Sequence, residues 1–150
     1  MLVAFQGEPG AYSEAAALKY SPGTPVLPCP SFEEVFAVVA SGRATHGILP
    51  MENSIGGSIH RNYDLLLEND LPIAGEIELR VDHCLLALPG TALADVKVVY
   101  SHPQALAQCE TALAQMHGVE VVAVYDTAGA AKMVREGARR NAAAVASRRA

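Results

Sequence analysis

Four short polar clusters hold the residues whose types and spacing could do chemistry. They are Glu8-Pro9-Gly10-Ala11-Tyr12-Ser13, Glu52-Asn53-Ser54, Ser101-His102-Pro103-Gln104 and Asp126-Thr127-Ala128. Each follows a short apolar run and is expected at or near a helix start. Backbone N–H groups there lack intrahelical partners and lie at the positive end of the helix dipole. Such a turn holds a carboxylate without any net basic surface. The hydroxyls of Ser13, Ser54, Ser101 and Thr127 would add donors. The amides of Asn53, Gln104 and Gln108 both donate and accept, which suits a ligand carrying carboxylates and a hydroxyl. A plainer account is also open: Ser, Thr and Asp are common N-caps, and Asn53 with Ser54, ahead of Gly56-Gly57, could simply satisfy a turn. His102 could titrate near neutrality or be structural, and His83, just before an apolar run, reads as a core or interface residue.

The elements that must position these clusters alternate strand with helix. Leu2–Phe5 reads as a buried strand, Ala11–Tyr20 as a helix and Thr24–Cys29 as a second strand. Ser31-Phe32-Glu33-Glu34 matches a capping box, opening a helix over 32–40 with Phe32, Val35, Phe36 and Val39 on one face. His46–Met51 is a third strand, and Asn62 is expected to cap a helix over 63–68. Pro72–Leu88 is rich in strand formers without one clean alternation and is expected as a long strand or strand pair. The pattern then repeats: strand Val96–Tyr100, helix Ala105–Met116, strand Val119–Tyr125, a helix from Ala128 capped by Asp126-Thr127, and strand Ala142–Ala146. Strands alternating with helices imply a mostly parallel sheet covered on both faces. There are two such sets, about residues 1–78 and 79–150, and two α/β lobes would bring the polar turns to a shared cleft.

Composition narrows the function classes. Half of the chain is apolar (51%), much of it alanine, with no Trp, which favours helices packed closely on a sheet. A net charge of -5 argues against a nucleic-acid partner, since such proteins usually show a basic patch. Cys29, Cys84 and Cys109 are odd in number and far apart, with no Cys/His ligand spacing. They read as reduced, mostly buried thiols rather than a disulfide framework or a zinc site. The N-terminus runs straight into a strand without a basic region, and no uncharged apolar run reaches ~18 residues. A cytoplasmic protein without membrane partners is expected.

The clusters together resemble the prephenate dehydratase family. Gly7-Glu8-Pro9-Gly10-Ala11-Tyr12-Ser13-Glu14-Ala15-Ala16 is similar to its N-terminal signature, and Pro50-Met51-Glu52-Asn53-Ser54-Ile55-Gly56-Gly57-Ser58-Ile59 to its most recognisable block. Ser101–Cys109, Asp126–Ala131 and Ala142–Ser147 resemble three more, so that five blocks run in order along nearly the whole chain. The resemblance implies a two-lobed fold like the type II periplasmic binding proteins, with the active site between the lobes. It implies Glu52, Asn53, Ser101 and Gln108 as active-site residues, with Ser13, Ser54, Gln104, Thr127 and Ala128 lining the cleft. It also suggests a homodimer or homotetramer. The family pattern continues with a helix and a Thr-Arg-Phe motif, whose Thr is regarded as central to catalysis, and commonly with an ACT regulatory domain. No Thr-Arg-Phe occurs in these 150 residues, so the expectation is a fragment of a longer protein or a fold without that Thr.

The reaction the resemblance implies is loss of water and carbon dioxide from prephenate to give phenylpyruvate, in phenylalanine biosynthesis. Aromatisation drives it, so it calls for no redox cofactor and no metal. The site must donate a proton or strong hydrogen bond to the departing hydroxyl and orient the substrate. The other reading is a non-catalytic domain on the same scaffold that binds an amino acid or keto acid. A purely structural domain would explain none of the four clusters.

Overall fold

The first half of the chain forms strand β1 (Val3–Gln6), helix α1 (Tyr12–Tyr20), strand β2 (Val26–Cys29), helix α2 (Phe32–Ala40) and strand β3 (His46–Ile48). The computed structural model describes all residues, 1–150. Strand β1 is the centre of a parallel sheet of order β2-β1-β3, with Val3 opposite both Val26 and His46. Pleating divides its side chains between two faces. Ala4 packs with Cys29, Val35, Val38 and Ala44 on the α2 side, while Val3 and Phe5, also buried, point the other way. Burial on both faces is why β1 reads as an unbroken apolar run. At the start of α2 the Ser31 Oγ accepts from the Glu34 N–H at 3.2 Å, as the capping pattern predicts. Val35 and Phe36 of the expected face are buried and Val38 joins them, whereas Phe32 and Val39 are only half-buried.

Beyond β3 the chain departs from expectation. The strand stops at Ile48, and Glu52-Asn53-Ser54 leads into a hairpin, β4 (Glu52–Asn53) with β5 (Gly57–Ser58), rather than a helix. Gly57 has φ 75°, a left-handed conformation that glycine adopts without strain. Helix α3 (His60–Glu68) begins two residues before Asn62. Asn62 is therefore not its cap: it is buried inside the first turn and donates from Nδ2 to the Pro50 carbonyl at 2.8 Å. Residues 71–83 contain no helix or strand, and only β6 (Cys84–Ala87) forms in the expected long β stretch. Residues 77–82 do alternate apolar with polar, but no strand pairs with them, Ile73 is 76% exposed, and an unpaired backbone stays with water.

The chain divides into two compact units, Met1–Arg80 and Val81–Ala150. The second unit contains β6, a short 3-10 turn at Leu93–Asp95, strand β7 (Val98–Ser101), helices α4 (Pro103–Gln108) and α5 (Glu110–Ala114), strand β8 (Glu120–Ala123), helix α6 (Thr127–Glu136) and strand β9 (Ala142–Ala146). The helix expected over 105–116 is broken at Cys109, whose N–H is shared between the Ala105 and Leu106 carbonyls, 3.1 Å from each. Leu106, Cys109 and Met116 still pack with buried Leu113 on one cluster. The sheet order is β6-β9-β7-β8, parallel except for the edge strand β6. Every residue of β9 is buried. Ala143 and Val145 face the α4–α5 layer, and Ala142 and Ala144 face Ala130 and Val134 of α6. An alanine strand between two helical layers lets both approach closely, which is where the alanine-rich composition is used.

Candidate active site

In a parallel sheet the strand ends that feed helices present their loops at one edge. In the first unit that edge carries Ser13, in the first turn of α1, and the β4–β5 hairpin with Glu52, Asn53 and Ser54. The turn before α1 is held by the Glu14 carboxylate, which accepts from the Gly10 N–H at 2.8 Å. Gly10, at φ 94°, makes that reversal possible. Ser13 is half-buried behind it.

The hairpin is built from its own side chains. Asn53 Oδ1 accepts from the N–H groups of Ile55 at 2.9 Å and Gly56 at 3.1 Å, an Asx turn. The base is closed by the Ile59 N–H to the Met51 carbonyl at 2.9 Å. Helix α3 supplies two further holds: Asn62 on Pro50, and Tyr63, whose hydroxyl donates to Glu52 Oε1 at 3.1 Å. Donation to that carboxylate raises the Tyr63 pKa above the usual phenol value. Glu52 and Ser54 are otherwise exposed and Asn53 half-buried.

In the second unit the register places Ser101 beside Ala123, Tyr100 beside Ala144 and Cys84 beside Ala146. The ends of β7, β8 and β9 and the start of β6 therefore share one edge. Ser101 is fully buried, and its hydroxyl donates to the Val145 carbonyl at 2.5 Å, tying β7 to β9. His102 caps α4 with Nδ1 accepting from the Gln104 N–H at 3.2 Å, and Pro103 occupies the first helical position, where its missing N–H costs nothing. The Gln104 side chain is exposed. Asp126 caps α6: its Oδ1 accepts from the Ala128 N–H at 2.8 Å. The Ala128 amide is thus committed to the cap, and the half-buried Thr127 hydroxyl donates to the same Oδ1 over a longer 3.5 Å. Gln108 ends α4, with Oε1 2.8 Å from His83 Nε2.

Each unit thus gathers its own candidates at one sheet edge: Ser13, Glu52, Asn53 and Ser54 in the first, Ser101, Gln104, Gln108, Thr127 and Ala128 in the second. Three of the proposed donors are engaged inside the fold: the Ser101 hydroxyl, the Ala128 amide and, at 3.5 Å from Asp126 Oδ1, the Thr127 hydroxyl. Sequence reasoning missed Tyr63 and Asn62 as holds on the hairpin and His83 as the partner of Gln108. No local signal marks the last, since the pair is separated by 25 residues. The thiols are free; Cys29 is buried, while Cys84 and Cys109 are half-buried rather than fully so. Burial raises the pKa of both Cys29 and Cys109, with Glu34 adding to the effect at Cys29, which keeps them protonated and poorly nucleophilic. No group of three or more His, Cys, Asp or Glu residues is arranged to hold a metal ion.

The family model for prephenate dehydratase matches residues 3–150, nearly the whole chain. The chain belongs to the prephenate dehydratase family. Arogenate dehydratase 1 of Petunia hybrida is 55% identical over 150 residues, covering 99% of this chain and 35% of the relative. Among solved structures, one described as GqqA, a novel type of quorum quenching acylases, superposes with a TM-score of 0.91 at 44% identity, covering 99% of this chain and 54% of that one. Prephenate dehydratase from Arthrobacter aurescens, in complex with L-Phe, gives a TM-score of 0.79 at 25% identity, covering 99% and 50%. The mixed α/β fold is therefore that of prephenate dehydratase structures. The chain spans about a third of the length of the plant relative and about half of the solved chains. No helix is long and apolar enough to cross a membrane.

The donors gathered at these edges are neutral. Amides at Asn53, Gln104 and Gln108 and hydroxyls at Ser13 and Thr127 can bind carboxylate and hydroxyl oxygens without a cationic cluster. Glu52 is the carboxylate among them, steadied by Tyr63.

Proposed function

We propose that the protein carrying this domain is a dehydratase of phenylalanine biosynthesis, converting prephenate to phenylpyruvate. The ring carboxylate leaves as carbon dioxide and its bonding electrons enter the ring. The carbon–hydroxyl bond opposite breaks, and the hydroxyl takes a proton and departs as water. Glu52, Asn53 and Gln108 are proposed to act at the reacting atoms. Ser13, Ser54, Gln104, Thr127 and the α6 turn at Ala128 hold the substrate. Ser101, donating to Val145, fixes the strand end that presents them. The finer architecture, two lobes of the periplasmic-binding-protein type II kind with substrate taken up by the polar edges of both, belongs to this proposal, as do a homodimeric or homotetrameric assembly and a cytoplasmic location.

The observation that carries the reading is the match of the prephenate dehydratase family over residues 3–150, on a chain whose strand ends carry polar side chains suited to binding carboxylate and hydroxyl oxygens. The test is absorbance of phenylpyruvate formed from prephenate by the intact protein, with arogenate, the substrate named for the plant relative, assayed beside it. Turnover of prephenate is expected. Binding of prephenate without product would turn the reading toward the non-catalytic domain, and turnover of arogenate alone would correct the substrate.

A second reading, an acylase, is favoured by the superposition at 0.91 on the structure described in those terms. Acyl transfer needs an activated nucleophile. The Ser101 hydroxyl is buried and given to Val145, and the Cys29 and Cys109 thiols are held protonated. The dehydratase reading is the better supported on geometry. Release of acid from an N-acyl amide by the same preparation would reverse that order.

A further inference from the structure

We infer that His83 is a positioning residue that sets the orientation of the Gln108 amide for the dehydratase reaction, an inference that rests on the reading above. His83 stands immediately before β6, where Cys84 pairs with Ala146 at the end of β9. Gln108 is the last residue of α4, on the helical layer over that sheet. Their side chains meet at 2.8 Å, Nε2 to Oε1, in a half-buried contact. The chemistry of the pair is one-sided. The amide oxygen can only accept, so Nε2 is the donor and carries the proton. An imidazole donates through Nε2 in its Nε2–H neutral form and in its protonated form alike. With Oε1 engaged by His83, the NH₂ group of Gln108 must lie on the other side of the amide. Of the two flipped orientations, the contact selects the one with Oε1 on His83 and the NH₂ group turned from it.

The surroundings favour a fixed pair over a chance one. His83 rims a hollow of about 140 Å³ lined chiefly by Leu85, Cys109, Leu113, Met116 and Val145. Leu85 and Val145 are opposite one another on paired strands and so share the face turned to α4 and α5. The bond pairs two half-buried polar side chains beside that wall, where an unmet amide oxygen or imidazole N–H would be costly. Gln108 is the last helical residue before the break at Cys109. A side chain at a helix end needs such a hold if a misplacement of about an ångström is not to cost roughly a hundredfold in rate.

The experiment is kinetics with prephenate on the intact protein and its variants His83→Leu, His83→Gln, Gln108→Leu and the double variant His83→Leu/Gln108→Leu. A glutamine at 83 keeps a donor near the position of Nε2 but cannot serve as a general acid. Expected are a loss of about tenfold or more in kcat for His83→Leu, recovery to within about threefold for His83→Gln, and no further loss when His83→Leu is added to Gln108→Leu. Equal damage from Gln and Leu at 83, or independent losses in the double variant, would overturn the inference. Long-range ¹H–¹⁵N spectra of the His83 ring read the same contact without any activity. The proton on Nε2 in the wild type, with a changed Nε2 environment in Gln108→Leu, supports the pairing, and a ring protonated on Nδ1 alone overturns it. If the wild type turns over neither prephenate nor arogenate, the dehydratase reading has failed, and the spectra still decide whether His83 orients Gln108.

Discussion

The polar edge of the first unit and that of the second are held in opposite ways. Glu52, Asn53 and Ser54 ride on a two-residue ribbon whose turn is filled by Asn53 itself, with Ile55 at its tip 77% exposed. Ser101 and Asp126 are buried and bound to backbone on neighbouring elements, across the sheet to Val145 and into α6 at Ala128. The first edge depends on a short local device and on two side chains of α3; the second is part of the core. The exposed turn is proposed to supply side chains to the substrate, while the buried strand ends aim them. In the first unit the same residue does both jobs, so a substitution there should change chemistry more than stability. In the second unit the order should be reversed.

Overfilling the second unit should give the largest effect. Ala144 is fully buried in β9, opposite Leu86 and Tyr100. Ala144→Leu forces four non-hydrogen side-chain atoms where one fits and is expected to cost about 1–3 kcal/mol, read as a lowered urea midpoint. Ile55→Ala at the hairpin tip should stay within about 0.5 kcal/mol. Equal losses would mean that the hairpin is packed in the native protein.

Asn53 separates the two jobs of the first edge. Asn53→Ala removes both turn bonds and the amide donor, and turnover should fall about tenfold or more, the size of one lost transition-state hydrogen bond. Asn53→Asp keeps an acceptor for the Ile55 and Gly56 N–H groups but loses the NH₂. An equal loss of turnover with an unchanged unfolding midpoint is expected, and full activity in Asn53→Asp would reduce Asn53 to a turn residue.

How much of this was legible in the sequence follows the range of the interaction. The Ser31 cap on α2 and the Asp126 cap on α6 could be read because donor and acceptor lie within three residues. Strand β9 could be read because five apolar residues between polar neighbours leave little alternative. The hairpin was hidden because two strands of two residues carry no period, and their pairing is fixed by Asn62 and Tyr63 from the next helix. The stretch over 72–88 misled because strand formers promise a partner that only residues 84–87 find. Among the candidate residues, chemistry was legible from side-chain type, but exposure was not. Nothing in the Ser101 cluster says that its hydroxyl is spent on a carbonyl 44 residues away.

Removing a cap should give the third effect. Asp126→Ala leaves the Ala128 N–H without its partner and should cost about 1 kcal/mol. Asp126→Asn, which keeps the acceptor, should recover most of it. The readout is the unfolding midpoint together with faster amide exchange in the first turn of α6.

The smallest effect concerns the tie between the helix that steadies the hairpin and the helix before it. Arg61 on α3 lies 2.9 Å from Glu33 on α2 and 3.0 Å from Glu68 at the end of α3. The hydrogen bond from Arg61 holds the Glu33 carboxyl below the usual carboxylate range. A carboxyl whose pKa is lower in the folded chain stabilises fully above its unfolded value, and loses that contribution as pH falls through its folded value. The midpoint difference between wild type and Arg61→Leu should therefore be present near neutrality and close in acid. Both groups are largely exposed, so it should be small and should shrink with added salt. A difference that stayed constant on acidification would show that Arg61 supports α3 by packing of its stem rather than by charge.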